Sequence, residues 1–391
     1  MVELLVTIIL YLRSFLLNTL DLAHFPDLDM PQRVLLGPGP SMVDPRVYRA
    51  MSTPVVGHLD PRFIEVMDRT QALLRYAMQT ENPMTIPISG TGTAAMETAV
   101  ANMVEPGDAV LVCVNGYFGL RIAEMARRYG GDVAIIERPW GEVFTPAEIG
   151  AALEKRPARV VAIVHAETSS GALQPLDGIA DVVHAHGGVL IVDTVASLGG
   201  VPVHVDAWDI DVCYTGAQKC LSCPPGISPI TFSARAMQKL ENRTGSVANW
   251  YLDVPLLGKY WGDARAYHHT APISATYAMY EALRLVAEEG LETRWERHQH
   301  MATMLWDGLA ELGLTLHVKQ PKHRAPSLTT VCIPDGVDDA AIRRTLLNDY
   351  NIEIAGGLGA LKGKVWRVGL MGYSARRENV LLLLAALRKL L

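Results

Sequence analysis

The sequence predicts an α/β fold, with a mostly parallel sheet covered on both faces and a smaller α+β domain after it. Two observations carry that expectation. Between Met84 and Ile230, short β-branched runs alternate with amphipathic stretches, and the runs are continuously apolar, as strands buried on both faces must be. After about residue 290 the texture changes to long helical periodicity and then to further strands. A chain of 391 residues that is 49% hydrophobic and 19% charged carries enough apolar surface for such a core in roughly two or three domains.

Residues 1–30 are expected to stand apart. "MVELLVTIILYLRSFLLNTLDLAHF" is apolar from Leu4 to Leu12 but is broken by Arg13, well short of the ~20 apolar residues of a membrane span. Glu3 is the only charge before Arg13 and no small-residue cleavage site follows, so a signal peptide is disfavoured. The segment reads as a docking arm or a mis-assigned start, with Met30 as the plausible initiator.

A large domain is expected over 31–289. Its strands are "VLVCVN" (110–115), "VVAIVHA" (160–166), "VLIVDTV" (189–195), "DVCYTG" (211–216) and "SPITFS" (228–233). A long helix around 277–307 leads into a small domain over 290–391. That domain has strands near "LTLHVK" and "LTTVCIP", a helix near 338–350 and a strand at "KVWRVGL". No internal repeat interrupts this order.

Charge and cysteine content exclude some functions. A net charge of −6 with no Lys/Arg block leaves no basic field for a phosphate backbone, so nucleic acid is not an expected partner. Five cysteines are too few and too scattered for a disulfide framework, which points to a reducing compartment and, by default, the cytoplasm.

Three motifs carry chemistry. "ISGTGTAAMETAVANMV" sets Ser89-Gly90-Thr91-Gly92-Thr93 between a short strand and an amphipathic helix. Glycines admit an anion close to the backbone, while hydroxyls and the free amides of the helix start face it, so the stretch reads as a phosphate cup. It also matches G-x-G-x-x-A, but the acidic residue a dinucleotide site needs at the end of the second strand is missing. Asp108 instead precedes a strand, and one phosphate fits better than two. A structural glycine-rich cap is the bland alternative.

"VLIVDTVASLGG" ends an apolar strand on Asp193, where open α/β sheets place ligands, although an aspartate there often only caps a turn. The next strand, "DVCYTGAQK", delivers Lys219. An acid and a lysine at neighbouring strand ends, with a phosphate cup upstream, suit pyridoxal 5′-phosphate: a phosphate anchor, a partner for the ring nitrogen, and an amine for a Schiff base.

Across about residues 31–391, "LLGPGPSMVDPRV", "SGTGTAAMETAVANMVEPGD", "HAETSSGALQPLDG", "LIVDTVASLGGVPVHVD", "YTGAQKCLSCPPGISPITFS", "YHHTAP" and "EIAGGLGALKGKVWRVGLMG" together resemble the class V aminotransferases, in particular their alanine–glyoxylate and serine–pyruvate branch. The resemblance implies a type I pyridoxal-phosphate fold, a homodimer with shared active sites, no metal, and amino acid and 2-oxo acid substrates. It implies Lys219 as the cofactor's Schiff-base lysine and proton-shuttling base. Asp193 would partner the ring nitrogen and Thr168 the ring hydroxyl, with Val195 and Phe118 on the two ring faces. Thr91, Gly92, Thr93 and Gln218 would hold the phosphate, with Tyr267 and Thr270 reaching it from the other subunit. Arg367 would grip the substrate carboxylate, beside Gly39. Animal members carry His at the position of Thr93 and Trp at that of Phe118, which bears on specificity and cofactor affinity. The expected reaction moves an amino group from alanine or serine to glyoxylate or pyruvate. Ureidoglycine–glyoxylate and aminoethylphosphonate transamination are alternatives on the same fold, and a nicotinamide-dependent oxidoreductase is a more distant one.

Two other patterns compete for attention. Cys220 and Cys223 have C-x-x-C spacing, but Cys113, Cys213 and Cys332 form no second pair for zinc, and Pro224-Pro225-Gly226 makes a turn where redox versions begin a helix. His184/His186 and His298/His300 are i,i+2 on helices, so neither pair chelates, and all four are expected at the surface.

Overall fold

The computed structural model describes residues 1, 3–9 and 24–391. It divides into two compact units, Met1–Arg33 and Val34–Leu391. In the first, residues 3–9 are helical and Thr7 donates to the Glu3 carbonyl at 2.8 Å. Part of the expected N-terminal arm, residues 10–23, lies outside the described residues.

The second unit is built on a seven-stranded sheet. In chain order its strands are β1 (Met84–Ser89), β2 (Ala109–Val114), β3 (Asp132–Glu137), β4 (Val160–Val164), β5 (Val189–Asp193), β6 (Val212–Tyr214) and β7 (Ile227–Phe232). Their spatial order is β1-β7-β6-β5-β4-β2-β3. All neighbours are parallel except β7, which runs antiparallel to both β1 and β6.

The pleat sorts the side chains. Val110, Val112 and Val114 of β2 enter the core on one face, and Leu111 and Cys113 enter the core on the other. Each such fully buried aliphatic side chain contributes roughly 1.5–3 kcal/mol of transfer free energy, which is why these strands read as unbroken apolar runs.

Helices cover the sheet, and local chemistry sets where they begin. In α1 (Pro45–Met51) and α2 (Pro61–Met78), Asp44 and Asp60 each accept the second helical amide at 2.8 Å ahead of a first-turn proline. Helix α3 (Gly92–Met103) follows β1, and α4 (Tyr117–Arg128) follows β2.

The long helix expected around 277–307 is two helices, α5 (Ile273–Glu289) and α6 (Leu291–Glu311). Gly290 breaks it at φ 81°, a left-handed conformation that costs glycine little. Beyond lie α7 (Asp339–Asp349), α8 (Arg377–Leu390) and a three-stranded sheet of β8 (Leu328–Cys332), β9 (Ala355–Gly356) and β10 (Val365–Gly369), ordered β8-β10-β9. "LTLHVK" forms no full strand, only an isolated bridge of Leu316 to Val331. A separate apolar cluster gathers Leu36, Leu305, Leu346, Trp366 and Leu383.

The chain from residue 34 returns to this C-terminal region. Val34 and Leu35 pair in parallel with Ile352 and Glu353, and the Gly369 amide donates to the Leu36 carbonyl at 2.8 Å.

Candidate active site

Lys219 sits just past the end of β6, buried and only 9% exposed. Its Nζ donates to the Pro38 carbonyl. Ser41 Oγ donates to the Lys219 carbonyl at 2.7 Å, and the Ser41 amide donates to Gln218 at 2.8 Å. Gly39 lies against the lysine side chain at φ 106°, where a Cβ would come within 2.6 Å of Lys219 Cδ. No other residue fits there without displacing the amine. Burial lowers the ammonium to about pH 8, so proton loss is easier than for a solvated lysine.

Asp193 ends β5 and is register partner to Tyr214 on β6. Its Oδ1 accepts the Val195 amide at 2.8 Å, and its Oδ2 accepts the Tyr214 hydroxyl at 2.9 Å. Both donors favour the anion, but burial dominates and pushes the carboxyl up to about 7. The buried acid therefore has neutral partners and no bonded cation among the described residues.

The cup forms between β1 and α3. Gly90 donates to Gly226 at 2.9 Å, and Thr91 caps the helix without using its side chain, so the first turn keeps donors for an anion. A Cβ on Gly92 would lie 3.4 Å from both Val195 Cγ2 and Gly216 Cα, which brings the cup against the loop after Asp193 and the turn before Lys219. Buried Gln218 Oε1 has no hydrogen-bond partner among the described residues. Thr93 accepts from Arg121 at 3.3 Å, and the Arg121 guanidinium lies 4.9 Å from the centre of the Phe118 ring.

Arg367, on β10, is 7% exposed. Its Nε donates to Gly356 at 2.7 Å and its Nη1 to the Thr168 carbonyl at 3.4 Å. Burial lowers it to about 10, and no carboxylate is bonded to it among the described residues. Lys219, Asp193 and Arg367 share one electrostatic neighbourhood, for the field of Asp193 and of Arg367 is felt at Lys219.

Tyr267 and Thr270 are different. Both are exposed, Tyr267 at 60%, and their hydroxyls lie 3.5 Å apart.

The thiols and histidines depart in part from expectation. Cys220 and Cys223 are buried, with burial pushing Cys220 up to about 11 and Cys223 further. Of the four histidines expected at the surface, His298 is fully buried. It bonds the Arg294 carbonyl through Nδ1 and accepts the Gly372 amide at 2.9 Å through Nε2, a helix-to-loop brace. His184 is mostly buried against Asp211 at 2.7 Å.

The structure also brings in residues that the motifs did not single out. Tyr214 is one, legible only from the register of β5 and β6. Glu167 and Ser169, on either side of Thr168, are others.

The family model for aminotransferase class-V matches residues 35–381. The chain is a class-V aminotransferase. An alanine–glyoxylate aminotransferase of Rattus norvegicus is 43% identical over 368 residues, 93% of this chain and 89% of that protein. The (S)-ureidoglycine–glyoxylate transaminase of Bacillus subtilis is also 43% identical, over 93% of this chain and 92% of its own. The crystal structure of an alanine–glyoxylate aminotransferase from Nostoc sp. superposes with a TM-score of 0.93 at 56% identity, covering 95% of this chain and 99% of that one. This aminotransferase has the fold expected for its class, with a mostly parallel central sheet. Among its described residues no helix is long and apolar enough to cross a membrane.

Proposed function

We propose that this aminotransferase uses pyridoxal 5′-phosphate to move an amino group from a small amino acid, alanine or serine, to glyoxylate or pyruvate. The supporting observation is that Asp193, an acid with no bonded cation among the described residues, and Lys219, an amine lowered to about 8, are both buried at neighbouring strand ends. The remaining residues fit the cofactor's other parts: the uncapped first-turn amides of α3 and the close backbone approach at Gly92, which a Cβ would crowd, suit its phosphate, and the Phe118 ring suits its ring face.

When bound, the cofactor supplies an electron sink for the carbanion formed at the amino acid's α-carbon. Lys219 would hold it and, with its amine free, would take the proton from the amino acid's α-carbon and deliver it to the cofactor carbon on the far side of the shared nitrogen. An amine of lowered pKa suits that exchange near neutral pH. Asp193 stabilises a protonated ring nitrogen, which in turn offsets the cost of burying the carboxylate. Thr168 bonds the ring hydroxyl, Val195 and Phe118 enclose the ring faces, and Thr91, Gly92, Thr93 and Gln218 take the phosphate. Arg367, with no carboxylate of its own, presents a guanidinium fork to the substrate carboxylate. Gly39 keeps the space beside Lys219 small. Tyr267 and Thr270 reach the phosphate of a second subunit, which accounts for their exposure in one chain.

Glyoxylate occurs in the names of both the rat and the Bacillus relatives, whereas the donors differ. Ureidoglycine is therefore the competing donor. The purified, cofactor-loaded protein assayed with alanine, serine and ureidoglycine against glyoxylate and pyruvate tests the reading. Turnover should be fastest with alanine or serine, and a strong preference for ureidoglycine would replace the donor assigned here.

A further inference from the structure

Glu167 is a buried carboxylate that the transamination chemistry above does not use. It is 1% exposed, on a short hairpin that pairs Ala166–Glu167 with Ala172–Leu173. Its Oε1 accepts the Ser169 amide at 2.9 Å and the Ser169 hydroxyl at 2.6 Å, and its Oε2 accepts the Phe118 amide at 3.0 Å. The Gly119 amide also bonds it, and Ser169 Oγ accepts the Tyr117 amide at 2.8 Å. The opening amides of α4, at Tyr117, Phe118 and Gly119, are thus all held by Glu167 and Ser169. A Cβ on Gly116 would lie 2.2 Å from Glu167 Cγ, so glycine is needed there for space.

Every bond to Glu167 has the carboxylate as acceptor, and the start of a helix favours an anion. Burial opposes its ionisation and raises its pKa above the ordinary glutamate value, while the bonds from Ser169, Phe118 and Gly119 offset part of that rise. No lysine or arginine is ion-paired with it among the described residues. Its charge is instead felt at Lys219 and Arg367, and among the described residues it is the charged group whose field raises Arg367. The titratable and charged groups acting on Lys219 are Cys220 beside it, Arg367 on β10, Asp193 on β5 and Glu167.

Resting on the cofactor and carboxylate-clamp roles proposed above, we propose that Glu167 is a further positioning residue of this site. Its fixed negative charge holds the start of α4, and with it Phe118, in place, and balances the two cations, Lys219 and Arg367, that meet the reactants. It touches neither substrate nor cofactor.

Glu167→Gln keeps the shape and removes the charge, and Glu167→Asp keeps the charge and shortens the reach. The direct readout is the proton affinity of Lys219 in the cofactor-free protein, taken from the pH dependence of reductive methylation at that residue and followed by peptide mass spectrometry. Loss of the anion should weaken proton binding about threefold or more in Glu167→Gln, while Glu167→Asp stays within about twofold of the parent. An unchanged midpoint in Glu167→Gln, or an equal shift in both variants, overturns the electrostatic role. Ser169→Ala tests the cap without altering the charge. It should leave the Lys219 midpoint in place and weaken cofactor binding about threefold or more, and a normal affinity overturns the hold on Phe118. If Glu167→Gln does not fold, Ser169→Ala still decides the hold on the start of α4, and a normal cofactor affinity there overturns the positioning role. A parent protein that takes up no cofactor would count against the function proposed above, whereas the methylation midpoints would still decide what Glu167 does.

Discussion

The buried residues assigned to the site and the exposed pair assigned to its rim are built in opposite ways. Asp193, Lys219 and Arg367 are buried, braced by neighbouring backbone and shifted from their ordinary ionisation by the loss of water. Tyr267 and Thr270 are exposed, with their hydroxyls 3.5 Å apart and the Tyr267 ring against His58. One region has met the cost of desolvation within a single chain. The other leaves two hydroxyls at the surface, as a half-site should if its ligand belongs to a neighbour. Rigid, desolvated groups are suited to proton transfer, whereas exposed donors are suited to assembly.

Removing the lysine should break the buried region most severely. Lys219→Ala should lose at least about a thousandfold in turnover and the yellow colour of the loaded protein, with an unchanged circular dichroism spectrum. Retained turnover would assign the proton transfer elsewhere.

Asp193→Asn comes next, with a fall in kcat of about a hundredfold or more, because an amide cannot hold a protonated ring nitrogen. It also carries a pH signature in the cofactor-free protein. The folded carboxyl titrates near 7, above the ordinary aspartate value of 3.8, so its favourable contribution is full below the ordinary value and lost as pH rises through 7. Thermal melts of parent and variant should therefore diverge between those limits, the parent becoming the less stable at the higher pH. Parallel melting curves would show that Asp193 is not desolvated as described.

The exposed rim should respond more mildly, and only through assembly. Tyr267→Ala, Thr270→Ala should weaken cofactor binding by about tenfold. Mixed and exchanged with Lys219→Ala, it should recover about a quarter of parental activity, since about half the dimers then carry one intact site. Activity no greater than the sum of the two variants would place all these residues in one subunit.

The smallest effect belongs to the thiols. Cys220→Ser, Cys223→Ser should keep activity within about twofold, at a stability cost of about 1–3 kcal/mol for two hydroxyls placed in apolar surroundings. A tightly bound zinc ion in the parent protein, found by elemental analysis, would give the pair a different role.

How legible each region was follows from the range of its interactions. The parallel strands declared themselves because both faces are buried, and "VLVCVN" could hardly be anything else. The antiparallel course of β7 did not, since direction leaves no mark on an apolar run. Gly290 was passed over within a strong helical period because a lone glycine is tolerated in a helix, and only its φ shows the break. At the site, the cup, Asp193 and Lys219 could be read as local motifs. Glu167 and Tyr214 could not, for their importance lies in contacts 49 and 21 positions away along the chain. Nor is the burial of His298 legible in the sequence, because helical spacing bears on chelation and not on burial.

The short run from Val34 to Gly39 has a consequence for how the enzyme is made. It pairs with Ile352 and Glu353, accepts a bond from Gly369, and supplies the carbonyl and the open space that hold Lys219. The run at 34–39 must therefore wait until residues 352–369 have been made before it can settle. At a synthesis rate of about 5–20 residues per second, that delay is on the order of 20–70 seconds. A nascent chain that has not reached residue 369 has its lysine but not a settled wall behind it, so the site is completed only after that residue has been made.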